Sequence, residues 1–127
     1  MREVVIVSAC RTAIGKFGGT LKALSDIDFG PIPIREVINR TKIAPDQVDE
    51  VIYASGYRTG DLPINSARVV AVKAGIPIEK PQFTISKACA GSIKAVTLAA
   101  QVIKSGDADI IIAGGMESMS NATFMLK

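Results

Sequence analysis

The sequence predicts an α/β fold built on a mostly parallel sheet. Short β-branched runs alternate with helical patterns in the order β-α-β-α-β-α-β. Strands separated by helices in this way pair in parallel, through right-handed crossovers. The length of 127 residues fits one domain, and 48% hydrophobic residues are enough to bury a core. No repeat or low-complexity segment interrupts the pattern.

The elements follow in order. Val4-Val5-Ile6-Val7 reads as a buried first strand. Residues 10–20 form a loop punctuated by Gly15, Gly18 and Gly19. Ser25 opens a helix reaching about Arg40, with Asp28 placed for a capping box. Pro31 and Pro33 predict a kink, or a helix that begins at one of them. Ala44-Pro45-Asp46 is a turn, Val48 to Ala54 a second strand, and Gly56 to Pro63 a loop. Asn65 or Ser66 caps a helix that stops at Gly75. Gln82 to Ser86 is a third strand, Ala90 to Lys104 a third helix, and Ile110 to Ala113 a fourth strand that runs into Gly114-Gly115. Nothing after it reads as a closing element, so an incomplete unit is expected.

Charge and composition exclude several functions. Fifteen basic and twelve acidic residues give a net charge of +3, with no basic stripe. Four Phe, two Tyr and no Trp supply few stacking groups, so no nucleic-acid partner is expected. No apolar run has the length of a membrane span, and no membrane partner is expected. Met1-Arg2-Glu3 leads straight into the first strand without a signal-like region, which points to the cytoplasm. Cys10 and Cys89 are the two cysteines and there is no histidine, so no metal site is expected. A Cys10–Cys89 disulfide stays open at this stage.

The third helix is the most informative stretch. Its polar residues Lys94, Thr97, Gln101 and Lys104 form one narrow stripe, and the rest of its circumference is apolar. Such a helix is expected to be buried on most sides, under a second layer from another domain or chain. Cys89 precedes it. The unpaired N–H groups and dipole of a helix start stabilise a thiolate there. Ala90, Gly91 and Ser92 leave room for a bulky acyl carrier, and Gly91 permits unusual backbone angles. The pattern alone leaves two readings of Cys89 open, an activated nucleophile or an inert packing thiol. Cys10 has no helix start after it and reads as a packing residue near the site. Lys87 and Lys94 flank Cys89; they favour a thiolate or are simply exposed.

Several motifs resemble the thiolases. They are Val5 to Thr12 with Ile14-Gly15 and Phe17-Gly18-Gly19; Asp49 to Ile52; Asn65, Ala67, Arg68 and Ala71 to Gly75; Lys87, Cys89, Lys94 and Ala95; Gly106 to Asp109; and Ala113 to Ser120. The resemblance spans essentially the whole chain, in the family's order. Departures are Ser86 where the family has Asn, the order Ala90-Gly91-Ser92, and Ile64-Asn65-Ser66 for Gln-Asn-Pro.

The resemblance implies a thiolase-type βαβαβαβ unit over residues 1–127, part of the N-terminal half of a protein about three times as long. It implies acyl transfer by Claisen condensation or thiolysis between acetyl-CoA and acetoacetyl-CoA or another 3-ketoacyl-CoA. Cys89 is then the acyl acceptor. The histidine base and second cysteine of the family have no counterpart in this chain, so full turnover by the chain alone is not expected. Coenzyme A thioesters are the substrates and no cofactor is implied; no residue is assigned to coenzyme A. The implied partners are an acyl-CoA and either a homo-oligomer (dimer or tetramer) or a missing C-terminal half. Alternatives are another condensing enzyme such as a ketoacyl synthase, and a non-catalytic interaction subunit. A flavodoxin-like nucleotide-binding domain lacks its phosphate loop, because residues 10–19 hold no such glycine pattern.

Overall fold

The computed structural model describes residues 2–57 and 65–124. Two helices come first, α1 (Asp26–Phe29) and α2 (Pro31–Thr41). They are followed by β1 (Glu50–Ala54), α3 (Ser66–Ala74), β2 (Gln82–Ile85), α4 (Gly91–Ser105) and β3 (Ile111–Gly115). The strands form a parallel sheet in the order β2-β1-β3. β1 pairs Val51 with Gln82 on one side and with Ile112 on the other. Residues 58–63 of the expected loop lie outside the described residues.

The central strand organises the core. Val51, Ile52, Tyr53 and Ala54 are all buried. Side chains alternate across a strand, so each face receives its own layer. Val51 and Tyr53 pack with Ile34, Ala67, Val70, Ala71 and Met116 in the α2–α3 layer. Ile52 packs with Ala95 and Ala99 of α4.

The start signals act where the sequence places them. Asp28 accepts from the backbone N–H and the hydroxyl of Ser25 at 2.8 and 2.6 Å. Gly30 separates the two helices and Pro31 opens α2, so the prolines cost no internal hydrogen bond. Asn65, and not Ser66, caps α3 by accepting from Arg68 N–H. Asn65 also donates to Gln82 O, and Thr84 Oγ1 accepts from Ala67 N–H, which ties α3 to β2. Gly75 and Gly106 end α3 and α4 with left-handed backbones.

One expectation is corrected. Val4–Val7 forms no strand, and Val5, Ile6 and Val7 are 67%, 77% and 70% exposed. A β-branched run becomes a strand only when a neighbour takes its N–H and C=O groups. No backbone hydrogen bond ties these residues to the sheet among the described residues. Within this chain α4 buries one face. Gly91, Ala95 and Ala99 face the sheet, while Ile93 and Val96 are 70% and 42% exposed. A single sheet covers one face of a helix, and within this chain nothing described lies over the other.

Asp49 ties the start of β3 to β1. Its carboxylate accepts from the backbone N–H groups of Asp109 and Ile110 at 2.8 and 2.9 Å. The Ile110 and then the Asp109 hydrogen bonds hold its pKa below the usual 3.8. A folded-state pKa below the unfolded value stabilises the fold above the unfolded value. That contribution is lost as the pH falls through the folded value. Asp49→Asn is therefore expected to lower the melting temperature at neutral pH and to flatten its decline in acid. Thermal unfolding of both proteins across the acid range measures this; parallel curves would show that the two contacts contribute nothing.

Candidate active site

Cys89 lies in a single 3-10 turn, Ala88–Ala90, between the end of β2 and the start of α4. The turn closes with Ala90 N–H donating to Lys87 O at 3.0 Å. Cys89 is exposed and free, so its sulfur is open to a reagent from solution. Cys10 is also free, which answers the disulfide question. Its thiol donates to Pro33 O at 3.3 Å. That places it against α2, on the opposite face of the sheet from α4.

The expected unusual backbone angle is present, but at a different residue. Gly91 is ordinary right-handed helix, with φ of −57°. Ala88 has φ of +43°, a left-handed conformation that a side chain disfavours. Gly91 serves close approach instead: a Cβ there would lie 2.8 Å from Ala54 Cβ. The glycine pair ending β3 does the same work. A Cβ on Gly114 would overlap the Tyr53 ring, and one on Gly115 would overlap Ser92 Oγ. The first turn of α4 therefore seats directly on the C-terminal ends of β1 and β3.

The residues after β3 complete this end of the sheet. Met116 N–H donates to Ala54 O at 2.9 Å and its side chain enters the core. Glu117 Oε2 accepts from Gly56 N–H and Tyr57 N–H at 2.7 and 3.0 Å. Sequence reasoning missed this contact, for Glu117 stands out only as part of a Gly-Gly-Met-Glu run. Ser118 Oγ donates to Leu24 O, and Asn121 Nδ2 donates to Lys22 O and Leu24 O. These bonds clasp the glycine-rich loop that precedes α1.

The groups at hand narrow the chemistry. Burial pushes the Tyr53 hydroxyl up to about 12, so it stays neutral and is no base near pH 7. Lys87 is exposed beside Cys89, and Lys94 is half-buried one turn into α4. Among the described residues no group of three His, Cys, Asp or Glu side chains could hold a metal ion. The arrangement offers one accessible thiol at a rigid strand-to-helix turn.

Residues 4–127 match the family model described as "Thiolase, N-terminal domain". The chain is 52% identical over 125 residues to an acetyl-CoA acetyltransferase of Syntrophomonas wolfei, covering 98% of this chain and 31% of that protein. It is 40% identical over 124 residues to the beta-ketothiolase BktB of Cupriavidus necator, covering 98% of this chain and 32% of the relative. The crystal structure of the Bacillus anthracis acetyl-CoA acetyltransferase superposes with a TM-score of 0.90 at 35% identity. That match covers 97% of this chain and 31% of the other. The chain thus spans about a third of the length of the curated relatives it matches.

Gly115→Ala tests the seating of α4. The added Cβ overlaps Ser92 Oγ and lies 3.1 Å from Ala54 Cβ. A loss of about 1–3 kcal/mol is expected, as for other overpacked sites. Adding Ser92→Ala should recover part of it. Urea unfolding of the single and double variants measures the coupling; strict additivity would show that the two residues do not meet.

Proposed function

The chain belongs to the thiolase family, and on that premise we propose that it carries the acyl-accepting part of a thiolase-type acyltransferase. The observation that carries the proposal is Cys89: an exposed thiol at the start of a helix seated on the sheet, within a family match running from residue 4 to 127. In this reading the Cys89 sulfur attacks a carbonyl carbon of the substrate. In condensation that is the thioester carbonyl of acetyl-CoA: the carbon–sulfur bond to coenzyme A breaks and coenzyme A leaves as its thiol with the proton released from Cys89. A second acetyl-CoA, deprotonated at its α-carbon by the family's second cysteine, then takes the acetyl group from Cys89. In thiolysis the sulfur attacks the 3-keto carbonyl of a 3-ketoacyl-CoA: the bond between its second and third carbons breaks, and acetyl-CoA leaves with a proton on its α-carbon. The thiol of coenzyme A then takes the acyl group and returns a proton to Cys89.

The N–H groups opening α4 are the nearest candidates for stabilising the oxyanion. The base is assigned to a histidine outside residues 1–127, because this chain contains none. Acylation is therefore expected of this chain without full turnover. The exposed Ile93–Val96 face of α4 is the surface we assign to a second layer, from the remaining two-thirds of a thiolase fold or from a second copy. The proposed compartment is the cytoplasm, whose reducing conditions keep a nucleophilic thiol free. Among the described residues no helix is long and apolar enough to cross a membrane.

The test is acyl labelling. The protein is incubated with acetyl-CoA and the adduct located by intact mass and peptide mapping. Acetylation of Cys89 is expected, lost in Cys89→Ala and kept in Cys10→Ala. An adduct only on a longer chain carrying the rest of the family's length would show that the missing part is needed for acylation. No adduct on either would sink the assignment.

A further inference from the structure

We propose that Glu117 is a positioning residue for Cys89, acting through the Gly56–Tyr57 backbone on the left-handed Ala88. The proposal takes its functional meaning from the reading of Cys89 as acyl acceptor. Its physical content stands on four contacts. Met116 N–H to Ala54 O is the last bond tying the end of β3 to β1. One residue later Glu117 reaches across to the segment that leaves β1, and its Oε2 takes both Gly56 N–H and Tyr57 N–H. Bonds to a charged acceptor are the stronger kind. Buried Ser55 adds a second staple, its hydroxyl donating to Tyr57 O at 2.9 Å.

The stapled segment abuts the turn that carries Cys89. A Cβ on Gly56 would lie 2.9 Å from Glu117 Oε2, 3.6 Å from Ala88 Cα and 3.8 Å from Ala88 O. The absence of that Cβ lets the carboxylate, the Gly56 backbone and Ala88 come together. Ala88 is the residue at φ +43°, immediately before Cys89. Left to itself an alanine leaves that conformation, and such residues persist only where their surroundings hold them. Gly56, fixed by Glu117, is the backbone that stands against Ala88. Releasing it lets Ala88 relax and turns Cys89 away from the start of α4.

The second carboxylate oxygen, Oε1, is buried with no hydrogen-bond partner among the described residues. Only one oxygen is in use, and its task is to accept. A glutamine oxygen accepts the same two N–H groups, so Glu117→Gln is the conservative replacement.

The experiment reads the alkylation rate of Cys89 by iodoacetamide, resolved by peptide mapping, with Cys10 as internal control. Glu117→Ala is expected to slow Cys89 about tenfold, the population ratio matching the usual cost of a left-handed alanine. Cys10 should be unaffected. Glu117→Gln should stay within about twofold of the parent, because both backbone N–H groups keep an acceptor. Ala88→Gly added to Glu117→Ala should restore most of the rate, since glycine holds a positive φ without a Cβ penalty. A purely structural role for Glu117 predicts no such restoration. Gly56→Ala reads the same contact from the other side and should also slow Cys89, which covers the case that Glu117→Ala fails to fold.

An unchanged Cys89 rate in folded Glu117→Ala, or no restoration by Ala88→Gly, overturns the proposal. So does an unchanged rate in Gly56→Ala should Glu117→Ala not fold. The acyl-acceptor reading fails separately. A parent protein that alkylates at Cys89 with these variant effects, yet never takes acetyl from acetyl-CoA, keeps Glu117 as a positioning residue and loses the nucleophile.

Discussion

The contact between the first turn of α4 and the C-terminal ends of β1 and β3 is the constraint on which the rest of the structure depends. A helix approaches a sheet only as closely as the side chains between them allow. Here those side chains are nearly absent. Gly91 meets Ala54, Gly115 meets Ser92, and Ala95 and Ala99 continue the small-residue stripe along α4. Bulk returns on the sheet side, where Ile52 is buried and Phe83, Ile85 and Ile111 pack beside it. The start of α4 is pinned while its far face stays open. Since Cys89 sits two residues before Gly91, fixing that glycine fixes the thiol.

Much of this fold is legible in the sequence because its signals are local. Capping of α3 by Asn65, its end at Gly75 and the start of α2 at Pro31 each involve groups within a turn of one another. The three strands that form are the runs with a strand neighbour in space. The Val4–Val7 run shows the limit. Its composition satisfies every local rule for a strand, yet strand formation is a property of a pair, and no composition reports whether the partner is there. The apolar girth of α4 has the same ambiguity. It marks a surface suited to burial, while a sheet on one side buries only the Gly91–Ala95–Ala99 face.

The site divides along the same line. Cys89 at a helix start is readable from a window of a few residues, and the family motifs sharpen it. Neither Glu117 nor Ala88 is readable that way. Glu117 bonds to Gly56 and Tyr57 across 61 and 60 residues, a pairing that exists only because β1 and β3 are neighbours. Ala88 carries no mark at all. A positive φ is ordinarily announced by glycine or asparagine, and an alanine there is imposed by tertiary structure. The local reading looked for conformational freedom at Gly91, because glycine is where freedom is written. The structure uses that glycine for proximity.

The strain at Ala88 costs about 1–2 kcal/mol on general grounds. A cost of that size survives only where the alternative conformations are worse, so what surrounds the turn must over-determine it. Each side of the turn is accounted for. The strand before it is held by pairing of Ile85 with Ala54 and by the bond from Ser55 N–H to Ile85 O. The helix after it is held by the absence of Cβ atoms at Gly91 and Gly115. Five residues, Ser86 to Ala90, must then span two fixed ends, and a left-handed residue is one way for so short a path to change direction. Strain at this point follows from rigid neighbours on both sides together with the Gly56 backbone that stands against Ala88, and it leaves the Cys89 thiol exposed at the point where α4 begins.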